Sequence, residues 1–329
     1  MITLFFGETP HTFPNKWEEL SQDQFLALAE LIMKYYADQI SMCQLRLLWF
    51  KKIAGLDQVK VPRKATDRFI DNVLTASRQF DFFYKLDYAG QIDSLSPETK
   101  KLIRKTPPDE INSSSGEIRY ARKLEYTYQL DAVWAKNLIP SIRLNRKTSL
   151  NGWTATLDTG TLRTSLTSMQ YTMGYDLLSL ISSGGGRSAM ILLAALLYDI
   201  DHADTNTLAL IGQLPDYILH GVVLNFQAFV SFVFSCTHFS ILWNTDGKPA
   251  GESAKKEISL AMSDSMYSLC KNGYGNFKDV ENMPMMTFLS IMRSDLINAI
   301  RSMSASGTET EKIAEQTHLP YEQIRKILC

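Results

Sequence analysis

Five histidines and four cysteines, with thirty-five carboxylates, are the side chains of this 329-residue chain best suited to metal or acid–base chemistry. Their spacing decides what they can do. A metal centre needs several ligands converging, and its sequence signature is pairs at short fixed intervals. His11, His202, His220, His238 and His318 stand apart, with no HExxH and no CxxC. His202 alone has three acidic residues within three positions, Asp199, Asp201 and Asp204. That turn lacks the glycine and distal glutamate of a calcium loop, so a solvated turn is expected.

Residues 182–188 are the one glycine-rich candidate for a phosphate loop, but they lack the preceding strand and the following Lys with Ser or Thr. The expectation there is a break between two helices, with Arg187 beside it. No G-x-S-x-G is present, so a hydrolase with a nucleophile elbow is not supported. Asp109 and Glu110 are adjacent carboxylates in a loop-like stretch where nothing is expected to desolvate and shift them. No catalytic residue, cofactor or metal is expected, and the chain reads as non-enzymatic.

Two patterns suit binding instead. Near the C-terminus, Ile313 and Ala314 face inward on a first helix, Leu319 follows a tight turn, and Ile324 falls ten residues after Ala314. This is helix-turn-helix spacing, and it places Tyr321, Arg325 and Lys326 on the second helix. His318 stands where such a turn usually carries glycine, and the third, supporting helix has to come from residues 295–303. A plain helical hairpin packed on the body fits the spacing too. The second pattern is methionine: the chain has thirteen, and Met283, Met285, Met286 and Met292 cluster. Flexible thioethers make either an adaptable protein-binding surface or filler for irregular core gaps.

Behind these residues stands a scaffold expected to be mostly α-helical: a multi-helix bundle with a small N-terminal β-hairpin. Residues 217–243 carry no formal charge, and Phe226, Phe229, Val230, Val233 and Phe234 recur at helical spacing. Such a helix must be buried in a protein core or a bilayer. Gln227, Ser231, Ser235 and His238 form a polar stripe and no basic cluster flanks the segment, so a core helix, not a membrane span, is expected. Residues 2–6 and 11–13 flank a turn and predict the hairpin, read as the only sheet. Ser21 with Gln24, and Thr167 with Gln170, each write a capping box before an apolar stripe. Helices are expected at 66–84 and 120–138, with an irregular linker at 143–160 and a mobile arm at 106–116. The organisation predicted is a hairpin plus helical half at 1–145, an apolar helical half at 160–303, and a C-terminal helix pair at 307–329.

Composition agrees with a folded chain, 45% hydrophobic, with net charge -1 and pI near 6.5. This near neutrality argues against a dedicated polyanion binder acting through bulk charge, although residues 51–147 hold nineteen Lys or Arg against twelve Asp or Glu. Cys43, Cys236, Cys270 and Cys329 are far apart and read as free thiols in a reducing cytoplasm. The opening residues have no positive segment, so no secretory signal is expected.

The chain also resembles the tail-assembly chaperone-like proteins of tailed phages and prophages. The resemblance lies in Pro14, Trp17, Glu18, Glu19, Leu20, Ser21 and Gln24 after the hairpin, and in residues 166–175, 192–198 and 277–284. It departs from the family's pattern at Asp199, where a basic residue and proline are usual, and the tail from Gly307 is additional. What the resemblance implies is a factor that binds a long apolar helical partner of tape-measure type, or tail tube proteins, in the host cytoplasm. Duplex DNA binding or regulation through the C-terminal helix pair is the alternative.

Overall fold

A computed structural model describes residues 1–6, 8–56, 66–198, 204–242 and 263–329. The chain is mostly α, with fourteen α-helices and four two-stranded sheets among the described residues. It divides into two compact units, the first comprising Met1–Trp134 with Pro215–Leu224 and the second Ala135–Leu214 with Asn225–Cys329. The expected connector at 57–62, the acidic turn residues Asp199, Asp201 and His202, and the loop at 244–252 lie outside the described residues.

In the first unit, β1 (Ile2–Phe6) pairs antiparallel with β2 (Thr9–Phe13), Ile2 opposite Phe13. A 3-10 turn at Trp17–Glu19 leads to α1 (Gln22–Tyr36). The Ser21 hydroxyl accepts from the Gln24 N–H and the Gln24 side chain accepts from the Ser21 N–H, so two otherwise orphaned donors are satisfied together. Ser41 and Gln44 repeat the device at α2 (Met42–Ile53). The indole of Trp17 stacks on that of Trp134 at 4.3 Å and donates to the Asp131 carbonyl at 2.8 Å. Phe25 packs edge-on against both.

The helix expected at 66–84 is shorter: α3 (Thr66–Ser77) ends early and β3 (Tyr84–Asp87) follows. After it come α4 (Pro97–Ile103), started by Ser96 as N-cap and Pro97 in the first turn, and α5 (Gly116–Ala121). The helix expected at 120–138 does not form. Residues Thr127–Leu130 are instead β4, antiparallel to β3, with exposure alternating along the strand. Period-two burial won over helical periodicity because Tyr128 packs on Tyr84, at 5.2 Å, across the strand pair. The mobile arm is also corrected. A 3-10 turn at Pro108–Glu110 is tied down, with Pro107 and Pro108 buried and Arg122 donating to the carbonyls of Pro108 and Ile111.

The second unit opens with two hairpins where an irregular linker was expected, so the N-terminal sheet is not the only one. β5 (Ser141–Arg143) pairs with β6 (Ser149–Asn151), and β7 (Ala155–Asp158) with β8 (Thr161–Thr164). The Asn145 side chain accepts from the Lys147 and Thr148 N–H groups to close the first turn. Thr159 and Gly160, both at positive φ, make the two-residue connection of the second.

Then come α6 (Ser168–Ser182), capped by Thr167 and Gln170, α7 (Gly186–Leu197) and α8 (Thr205–Ile211). Gly184 and Gly186 take positive φ in the break between α6 and α7, while Arg187 donates to the carbonyls of Gly212 and Leu214. Asp204 caps α8, and its hydrogen bonds to Thr207 hold the carboxyl below the usual range.

The apolar helix is α9 (Asp216–Cys236), and the division between units falls inside it, after Leu224. It is long and apolar enough to cross a membrane by length and composition alone. Phe226, Phe229, Val233 and Phe234 are nonetheless buried in the fold, whereas Gln227, Ser235 and His238 are exposed. Phe229 lies 4.6 Å from the Trp153 ring, and a Cβ at Gly174 of α6 would meet the Phe226 ring at 2.7 Å. The glycine is what allows α6 and α9 to approach so closely. A 3-10 turn (His238–Leu242), α10 (Ser263–Lys271), α11 (Phe277–Glu281), α12 (Met285–Ala305), α13 (Thr310–Thr317) and α14 (Tyr321–Leu328) complete the described chain.

Candidate helix-turn-helix interface

The C-terminal site is built from the stop signals of its helices. At the end of α12, the Thr308 N–H donates to the Met303 carbonyl and the Gly307 N–H to that of Ser304, with Gly307 at φ +85. This pair of bonds is a Schellman closure, which turns the chain sharply and lets α13 fold back. Eleven residues later His318 ends α13 in the left-handed region, at φ 54 and ψ 24. The residue that stands in the expected glycine position thus takes a glycine's conformation. Pro320 then starts α14, its carbonyl accepting from the Gln323 and Ile324 N–H groups.

Ile300, Ile313, Leu319 and Ile324 form a buried cluster, with Leu296, Met303, Ala314, Ile327 and Leu328 packed around it. The third helix is therefore the end of α12, where the sequence required it. Each of the three helices contributes an isoleucine with no exposed surface. On the outer face of α14, Tyr321, Glu322, Arg325 and Lys326 are exposed, at positions i, i+1, i+4 and i+5 of one side of the helix. Arg325 and Lys326 are suited to phosphates or base edges, and Tyr321, 41% exposed, to stacking or apolar contact. The acids Glu311, Glu315 and Glu322 are exposed on the same helix pair, so its field is mixed.

The methionines divide differently. The segment before α12 is docked on the start of α6: the Ser168 N–H donates to the Met283 carbonyl at 2.8 Å and the Met285 N–H to that of Leu166 at 2.9 Å. The Ser168 hydroxyl donates to the Val280 carbonyl. Met285 is fully buried beside Phe288 and Leu289, so its side chain packs the interior and offers no surface to a partner. Met283, Met286 and Met292 are half-buried.

Three arrangements carry no signal at short range in the sequence. Arg46 is buried, yet its guanidinium donates to both Glu110 carboxylate oxygens, at 2.8 and 3.3 Å, and to the Tyr84 hydroxyl at 2.9 Å. Burial works against the charged guanidinium, but Glu110 and Tyr84 outweigh it and raise the Arg46 pKa. Burial likewise pushes the Tyr84 phenol up to about 12. Asn137 and Asn225 are the second arrangement. The Asn225 amide donates to the Asn137 oxygen at 2.6 Å and its own oxygen accepts from the Leu138 N–H, while Asn137 donates to the Trp153 carbonyl. Both serve structure, joining segments far apart in sequence.

The third is a basic cleft of about 600 Å³ between β3 and the end of α4, lined by Lys85, Lys100, Lys101, Arg104, Lys105 and Asp131. Among the described residues no group of three or more His, Cys, Asp or Glu side chains converges to hold a metal ion. No known protein family, curated protein or solved structure matches this chain.

Proposed function

We propose that this protein acts by binding and not by catalysis, and that α13 and α14 engage duplex DNA with α14 as the recognition helix. The observation that supports this reading is the three-helix cluster itself. Its left-handed turn at His318 and its buried Ile313, Leu319 and Ile324 leave Tyr321, Arg325 and Lys326 on the free face of the second helix. The remaining helices, read as a multi-helix bundle with an N-terminal hairpin, are the scaffold that carries this unit. Mixed charge on the helix pair implies few phosphate contacts, so modest affinity and a shallow salt dependence are expected.

The test is fluorescence anisotropy with the full chain and a library of labelled duplexes. Selection of a preferred sequence, lost on Arg325→Ala with Lys326→Ala at an unchanged melting temperature, is the expected result. Equal binding by the variant, or no binding at any salt concentration, overturns the reading.

A second reading follows from the resemblance to tail-assembly chaperone-like proteins of phages and prophages: a host-cytoplasmic factor that binds a tape-measure or tail tube protein. It is favoured by aromatic surface in the second unit, where Tyr267 is 68% and Phe277 52% exposed. Co-expression with a tape-measure protein should give a soluble complex that Tyr267→Ser with Phe277→Ser weakens. Failure to co-purify would remove this reading.

A further inference from the structure

We infer that the cleft between α4 and β3 in the first unit is a binding site for the phosphate backbone of nucleic acid. Five cations, Lys85, Lys100, Lys101, Arg104 and Lys105, share its walls with one carboxylate, Asp131. Two are partly neutralised: Lys100 donates to the Asp93 carbonyl at 2.6 Å and lies 3.9 Å from its carboxylate, and Lys105 lies 3.9 Å from Asp131. The side chains of Lys85, Lys101 and Arg104 make no ion pair or hydrogen bond among the described residues, and all three are exposed.

The fold holds these groups together against their mutual repulsion. Ser96 caps α4 by accepting from the Thr99 N–H. The buried side chain of Ile103 anchors the other end, where the Leu86 N–H donates to the Arg104 carbonyl and fixes the end of α4 against β3. Helical spacing puts Arg104, the C-cap, one turn after Lys100, with Lys101 beside them; Lys105 follows just past the helix end, and Lys85 on the strand lines the same cleft. Like charges gathered this closely are unfavourable unless an anion occupies the space between them.

The lining also selects the kind of anion. Pro97 is its one apolar residue, so it has no pocket for the side chains of an acidic peptide. It has no aromatic ring either, so bases have nothing to stack on. What remains is recognition of repeated phosphates without regard to sequence. This inference does not rest on the assignment of α14, because the cleft and α14 belong to different units of the chain.

The experiment compares the full chain with Lys85→Gln/Lys101→Gln/Arg104→Gln in salt titrations against mixed-sequence duplex DNA, single-stranded DNA and poly-glutamate. Circular dichroism and melting verify the fold. The variant should lose affinity, and the slope of log K against log salt should fall by about 2.7 on duplex or about 2.1 on single strands, depending on the source of the phosphates. An unchanged slope on both nucleic acids overturns the proposal, as does loss of poly-glutamate binding with nucleic-acid binding intact. Arg325→Ala/Lys326→Ala run in parallel separates the two surfaces: loss there alone leaves the cleft without a role.

Discussion

Replacing Glu110 with alanine removes the carboxylate that neutralises Arg46 and leaves a guanidinium that is 2% exposed inside the first unit. Breaking a buried ion pair from one side typically costs about 3–5 kcal/mol, because the remaining charge stays desolvated. Two features of this site pull the value down. Glu110 retains 21% of its side-chain exposure, and Arg46 keeps its hydrogen bond to the Tyr84 hydroxyl. One feature holds it up, since the Arg46 Nε is already buried without a partner. The expected cost is therefore about 2–3 kcal/mol, at or just below the lower edge of that range. Urea unfolding followed by tryptophan fluorescence measures it, and a double-mutant cycle with Arg46→Met isolates the pair. Because two apolar side chains of similar volume need no neutralisation, Arg46→Met/Glu110→Leu should recover most of the loss. A Glu110→Ala cost below about 0.5 kcal/mol, or a coupling energy near zero, refutes the reasoning, since both are what an exposed pair would give.

Three further substitutions test other parts of the fold. His318→Gly removes the left-handed strain of a residue with a Cβ, worth about 1–2 kcal/mol, at some cost in unfolded-chain entropy, so a net stabilisation of about 0.5–1 kcal/mol is expected by thermal melting. A loss of stability would mean that the imidazole makes a contact of greater value than the strain. Gly174→Ala, which places a Cβ 2.7 Å from the Phe226 ring, should destabilise by overpacking, about 1–3 kcal/mol in denaturant titration. No loss would show that α6 and α9 can separate freely.

Asp81 is held above the usual carboxylate range by burial, with Lys105 and Arg46 acting in the opposite direction. A raised folded pKa means the folded state binds the proton more readily. The Asp81 contribution is thus most favourable below the unfolded carboxylate pKa and is lost as pH rises through the folded one. Asp81→Asn should accordingly be more stable relative to the natural chain at pH 7 than at pH 3, read as the difference between their urea midpoints. A difference independent of pH would contradict this.

Local signals made α1, α6 and the C-terminal pair legible in the sequence. Capping boxes, terminal prolines and tight-turn residues act within four or five positions, so Ser21 with Gln24 or Leu319 with Pro320 can be read without knowing the rest of the chain. The polar stripe of α9 was legible for the same reason, because Gln227 and Ser235, both exposed, follow the period of their own helix. What was missed depends on partners distant in sequence. β4 looks helical until β3, forty residues earlier, supplies its ladder and Tyr84 its neighbour. Glu110 looks like a loop carboxylate until Arg46, 64 residues away, is brought against it.

The methionine cluster shows the limit of composition. Met285 and Met286 are adjacent and chemically identical, yet the turn of α12 buries the first completely and leaves the second half-exposed. In the same way, the excess of basic residues at 51–147 did not reveal which of them share a cleft. Lys85 joins Lys101 and Arg104 only because β3 lies against the end of α4.

Hydrogen exchange of the full chain, with and without a saturating duplex selected from a random-sequence library, measures most directly whether α14 reads DNA. Slowed exchange over Tyr321–Leu328 and the turn at His318, abolished in Arg325→Ala/Lys326→Ala, is the result expected. Unaltered exchange across that helix while the duplex is bound would place DNA recognition elsewhere and contradict the assignment.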